Sequence, residues 1–148
     1  MKVSIDKNIV MLSLNKYEEI IDSITTISKK LKLKSGIVIN ISGELNRIKL
    51  FHYNSNENDK KIMEIDGKLT ITSASGYIAI FGREVEPTIL MNVADENGNV
   101  VGGYVSEAIV ENSVEIFILV PAKTIFEKRF DVKTERLKLE MKSYELEF

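Results

Sequence analysis

Asp95, Asn97 and Asn99, in the run ADENGNVVGGYV (94–105), have the one-three-five spacing with which a calcium loop begins. Such a loop also needs a glycine at its sixth place and a bidentate carboxylate at its twelfth. Here Gly98 comes fourth and the twelfth residue is Ser106, so the ligand set fails. A phosphate loop fails too, because no lysine follows the glycines and no helical pattern opens after them. Asn97-Gly98 between two strand-like runs predicts a hairpin turn instead. Gly102 and Gly103 then lie within a strand, where glycine weakens pairing unless a ligand or another chain approaches closely.

Other routes to catalysis are sparse. His52 is the single histidine, so a Ser-His-Asp triad could draw on it alone, and no Gly-x-Ser-x-Gly run occurs. Its place in LFHYN suits an ordinary strand-end side chain. Glu84, Glu86, Asp95, Glu107 and Glu111 could pair for acid–base work only if the fold brought two of them together. Otherwise they form a solvated rim. With no cysteine, disulfides and thiolate metal sites are excluded.

The bulk numbers narrow the classes further. The 148 residues fit one domain, taken as 1–148, with 44% hydrophobic and 28% charged residues. Twenty basic and 22 acidic residues leave a net charge of −2, which gives no overall pull toward nucleic acid or an anionic membrane. The first local basic candidate is KKLKLK, with Lys29, Lys30, Lys32 and Lys34 as candidate nucleic-acid contacts, and EKRF (127–130) is a second. Lysines in a last helical turn are also expected from the helix dipole alone. The longest apolar run, IFILV (116–120), is too short to span a bilayer, and MKVSIDKN does not resemble a signal peptide. A cytoplasmic protein without membrane partners is expected.

The elements that must position these residues follow from periodicity. Tyr17, Ile20, Ile21, Ile24, Ile27 and Leu31 recur at helical spacing, with Asn15 as N-cap, Glu18 in capping-box position and Ser35-Gly36 at the end. Before that helix, residues 2–14 read as extended with a break at 6–8. After it the period becomes two: 36–42 and 47–53, separated by 43–46; a polar loop at 54–61; then 62–65, 68–81, 88–94, 99–110, 114–120, 125–130 and 136–148. In the last, Leu137, Leu139 and Met141 alternate with Lys138, Glu140 and Lys142, predicting one wet face. One main N-terminal helix beside many strands gives an α+β domain, mostly antiparallel sheet.

Three ordered segments, DGKLTITSASGYIA, ADENGNVVGGYV and FEKRFDVKTERLKLE, resemble the PPC (plants and prokaryotes conserved) domain, which is also found fused to AT-hooks in plant nuclear proteins. The likeness starts in the helix and runs through almost the whole chain. It implies a stand-alone prokaryotic type of PPC protein, a homotrimer, with Gly102 and Gly103 packed near a subunit boundary. Many prokaryotic relatives carry a His-x-His pair before the Asp-x-x-Gly turn and a third histidine after the glycine pair, thought to hold a metal. Counted from Gly98 and from the glycine pair, those places fall on Thr88, Leu90 and Tyr104. None is a histidine, and a neutral hydroxyl, a hydrocarbon and a phenol make poor ligands. Loss of the metal is expected, with no cofactor in its place. The relatives' partner-binding segment matches Gly67–Ile71 here, and its leading residues depart from the Gly-Arg-Phe pattern.

Two functions follow as expectations. The first is a non-enzymatic, DNA-binding or transcription-associated trimer that acts through assembly and protein contacts, with weak DNA affinity at most, since the Arg-Gly-Arg-Pro hook is missing. The second is a small-molecule-binding or enzymatic trimer with a pocket around Thr88, Leu90, Asn92 and Tyr104.

Overall fold

The computed structural model describes residues 1–53 and 59–143. The polar loop expected at 54–61 falls largely outside them, as does the end of the last expected strand, 144–148. Among the described residues, eight strands form one sheet with a single helix against it. In chain order these are β1 (Lys2–Asp6), β2 (Ile9–Asn15), α1 (Ile20–Lys30), β3 (Gly36–Tyr53), β4 (Lys60–Phe81), β5 (Glu84–Ala94), β6 (Val100–Leu119), β7 (Thr124–Asp131) and β8 (Arg136–Ser143). The α+β class with mostly antiparallel strands is what the periodicity implied.

The pairing path runs β1-β2-β6-β3-β4-β7-β8, and β5 pairs with both β4 and β6. Hence β3, β4, β5 and β6 form a closed circuit. Strands this long can close because they bend. The β3–β4 register slips between Leu45 and Arg47, and Gly43 takes φ +135° just before it. The expected break at 43–46 is therefore wrong: 36–53 is one bent strand. Likewise 62–65 joins 68–81 through Gly67 at φ +117°, and 99–110 joins 114–120. Lys60 and Lys61, assigned to the polar loop from sequence, already belong to β4.

Inside the circuit, alternation buries one set of side chains: Ile48 and Leu50 on β3, Ile89, Met91 and Val93 on β5, Val110 and Val114 on β6. α1 adds Ile20, Ile24 and Ile27 to the same core. The helix starts later than its sequence signals suggest. Glu18 does accept the Asn15 N–H, at 2.6 Å, but this closes a turn ahead of the helix. Tyr17 sits at φ 70° and donates its N–H to Val110, whose own N–H reaches Glu18, so β6 claims this backbone. Glu19 becomes the N-cap, and Tyr17 points outward instead of joining the apolar face. At the other end the helix stops at Lys30, ahead of the expected Ser35-Gly36, and Lys32 takes the left-handed turn at φ 53°. Leu137 and Met141 on β8 are exposed, so both faces of that strand are wet, not one.

Candidate functional site

Thr88, Leu90 and Asn92 occupy alternate positions on β5, opposite in direction to the buried Ile89, Met91 and Val93. Pairing places Leu90 opposite both Ser75 and Tyr104, and Asn92 opposite both Ser73 and Gly102. A shallow concavity of about 260 Å³ opens here, lined by Ser73, Ala74, Ser75, Leu90, Met91, Asn92 and Gly103. Leu90 and Asn92 of the expected pocket line it, while Thr88 and Tyr104 do not. Ser73 and Ser75 escaped notice from sequence, although their alternation in TSAS marks them as one outward face. Asn92 Nδ2 donates to Ser73 Oγ at 3.0 Å, which fixes the amide across the strand gap. The Thr88 hydroxyl is buried without a hydrogen-bond partner.

The glycine pair has an explanation within the chain. A Cβ on Gly102 would overlap the Asn92 Oδ1, and one on Gly103 would stand 3.0 Å from the His52 imidazole. The close approach that glycine in a strand demands is thus made by these two side chains. Asp95 closes the β5–β6 hairpin: its Oδ1 accepts the N–H groups of Asn97 and Asn99, each at 2.9 Å, and Gly98 turns at φ 80°. The carboxylate that opens the calcium-like spacing is occupied by its own turn.

These hydrogen bonds, led by the Asn99 N–H, hold the Asp95 carboxyl below the ordinary Asp range. A group shifted down contributes stability that is present above its unfolded pKa and lost as pH falls through the folded one. Asp95→Ala should therefore lower the unfolding midpoint at neutral pH, and the gap from wild type should close on acidification. An unchanged gap in a pH series of thermal melts would remove the carboxylate from the loop's stability.

The remaining carboxylates singled out from sequence are paired individually. Lys29 meets Glu84 at 3.0 Å, Lys128 meets Glu86 at 3.1 Å and Lys16 meets Glu111 at 3.7 Å. Glu107 lies 3.6 Å from both Arg47 and Lys49, which also hold Glu64, in a row set by the registers of Lys49 with Glu64 and Glu107. Each acid thus faces a cation or its own loop, an arrangement suited to a charged rim. Among the described residues, no three His, Cys, Asp or Glu side chains converge as metal ligands.

The sequence profile of the Plants and Prokaryotes Conserved (PCC) domain matches residues 1–120. The chain belongs to the PPC family. Solved structures with the same PPC fold include a "putative DNA binding protein" from Bacteroides thetaiotaomicron, with 15% identity over 94% of this chain and 96% of that one and a TM-score of 0.87. A "metal-containing protein" from Archaeoglobus fulgidus shares 19% identity over 93% and 95%, with a TM-score of 0.81. A PPC protein from Pyrococcus horikoshii shares 18% over 99% and 97%, with a TM-score of 0.78. No functionally curated protein matches the chain.

Within this PPC chain the lysine cluster divides. Lys29 is engaged by Glu84, whereas Lys30, Lys32 and Lys34 are exposed and meet no carboxylate among the described residues. No described helix is long and apolar enough to cross a membrane. A second outward feature was not visible from sequence. Phe51 and Tyr104 stack with centroids 5.3 Å apart and planes at 19°, and Tyr53 stands edge-on to both at 5.8 Å.

Proposed function

We propose that this chain is a non-enzymatic PPC protein. It works as a cytoplasmic homotrimer through assembly and protein contacts, engages DNA weakly, and lacks the metal that the family's three histidines would hold. The observation that carries the proposal is an apolar row on the outer face of the sheet. Ile9, Leu119, Ile37 and Tyr77 stand directly opposite one another across β2, β6, β3 and β4, outside the core. Ile9 and Ile37 are 37% and 38% exposed, and the neighbouring Ile39 53%. Apolar surface gathered in this way on a folded chain suits a subunit contact. The free lysines at the end of α1 supply the cations for DNA. At the metal positions, the Thr88 hydroxyl, the Leu90 hydrocarbon and the stacked Tyr104 phenol do not fit a metal, so no chemistry is routed through one.

The test joins mass and binding. Light scattering should return three times the chain mass. Anisotropy of a labelled duplex should show binding that weakens between about 50 and about 200 mM salt, and a Lys30→Ala/Lys32→Ala/Lys34→Ala variant should lose roughly tenfold in affinity. A monomer that ignores the duplex at low salt would sink the reading. The concavity beside Asn92, lined by Ser73 and Ser75, favours one second reading, a small polar ligand bound there. It predicts a co-purifying molecule that Asn92→Ala releases.

A further inference from the structure

The aromatic trio lies where four strands of the circuit bring one residue each to the outer face. Leu90 of β5, Tyr104 of β6, Phe51 of β3 and Ile62 of β4 are successive partners across the sheet, and Tyr53 extends the group along β3. Leu90, Tyr53 and Ile62 are 45%, 42% and 64% exposed, so the platform is open. Two cations rest on it. Lys60 Nζ is 4.7 Å from the Phe51 ring centre and 5.8 Å from that of Tyr53, and the Arg136 guanidinium is 5.1 Å from Tyr53. Neither meets a carboxylate among the described residues, in contrast to Lys29, Lys49 and Lys128, which do.

Rings without a specific hydrogen-bonding frame, flanked by cations without acid partners, match a ligand that alternates planar bases with phosphates. An exposed cation on a ring is held more weakly than a stacked base, so a base can take the ring face while the cation moves to the adjoining phosphate. Duplex DNA cannot use this platform, because its bases are already stacked inside. A peptide would satisfy the rings but leave the two cations unmatched.

We propose that Phe51, Tyr53 and Tyr104 form a stacking platform for single-stranded nucleic acid, with Lys60 and Arg136 taking its phosphates. This deepens the nucleic-acid half of the proposed function and rests on it, at a surface separate from the lysines at the end of α1.

The test titrates full-length protein into fluorescein-labelled (dT)20 and, in parallel, into a labelled duplex of the same length, at two salt concentrations. Wild type should bind the single strand in a salt-dependent way. Tyr53→Ala should weaken that binding about tenfold and leave the duplex unchanged, while Tyr53→Phe, which keeps the ring, should match wild type. Tyr53 is outside the core, so these variants should fold, and circular dichroism checks it. Lys60→Ala and Arg136→Ala should lower the affinity and flatten its salt dependence. Equal affinity of Tyr53→Ala and wild type for (dT)20 would overturn the platform. Duplex binding without single-strand binding would overturn it while sparing the proposed function, and binding to neither would end it together with the nucleic-acid half of that function. If Tyr53→Ala instead changed the mass in solution with no effect on the strand, the patch would be a contact between copies and the inference would fall.

Discussion

Gly43→Ala and Gly76→Ala should each cost about 3 kcal/mol or more, enough to leave much of the protein unfolded at physiological temperature. At Gly76, a Cβ would overlap the carbonyl oxygen of Thr88 on the neighbouring strand and press on Ile89. A carbonyl in a ladder cannot swing aside as a side chain does, so β4 and β5 would have to part where the site is built. At Gly43 two penalties add: overlap with the Ser113 carbonyl, and a φ of +135° that L residues rarely adopt. Gly102→Ala is the contrast. Its clash is with the Asn92 amide, which can rotate away at the loss of one exposed hydrogen bond to Ser73. That variant should lose only about 1 kcal/mol. Urea unfolding of the three variants checks the ordering. If Gly102→Ala proved as damaging as Gly76→Ala, the glycine pair would answer to a contact beyond the single chain.

Glu19→Ala is expected to cost about 2–3 kcal/mol, because one side chain serves two backbones. Its Oε2 accepts the Asp22 N–H as the cap of α1, and its Oε1 accepts the Ala108 N–H of β6 at 2.9 Å. Removing it orphans both donors, and the helix loses its tie to the sheet. Glu19→Gln keeps an acceptor and should cost much less. The two forms also differ in pH response. Burial, as the largest influence, pushes the Glu19 carboxyl above the ordinary Glu range despite the two N–H groups. A carboxyl raised in the folded state contributes stability that is full below its unfolded pKa and lost as pH rises through the folded one. Wild type should therefore lose ground to Glu19→Gln as pH rises from the ordinary Glu range toward neutrality. A constant difference across that range would mean Glu19 is not desolvated as described.

What could be read in advance follows from what is local. The inward residues of α1 obey a period of 3.6, so Ile20, Ile24 and Ile27 declared themselves, and the strand-like run 88–94 did so as an element. The hairpin at Asn97-Gly98 did as well, because its turn chemistry lies within five residues. Strand continuity did not. Gly43 and Gly67 look like terminators in sequence, yet a bend ends a strand only if the partner stops pairing, and the partner of Gly43, in β6, lies 71 positions on. The same limit hid the start of α1. Asn15 and Glu18 carry a cap signature, but β6 takes the intervening backbone for its own pairing. In the site, Leu90 and Asn92 were found through the likeness to PPC proteins. Ser73 needed the β4–β5 register, and the joining of Phe51, Tyr53 and Tyr104 needed the β3–β6 register. Carboxylate partners were equally invisible, since every one of those ion pairs joins different elements.

The closure of β5 onto both β4 and β6 has a bearing on how copies of the chain can meet. Where β5 pairs with both β4 and β6, no row of N–H and C=O groups is left free, and the pairing path ends in the outermost strands, β1 and β8. Both are short and studded with charge: Lys2 and Asp6 on one, Lys138, Glu140 and Lys142 on the other. Such flanks discourage the open-ended growth that leads from sheet edges to fibres. Under the proposed assembly, copies would then meet through side chains on the face of the sheet and not through its edges.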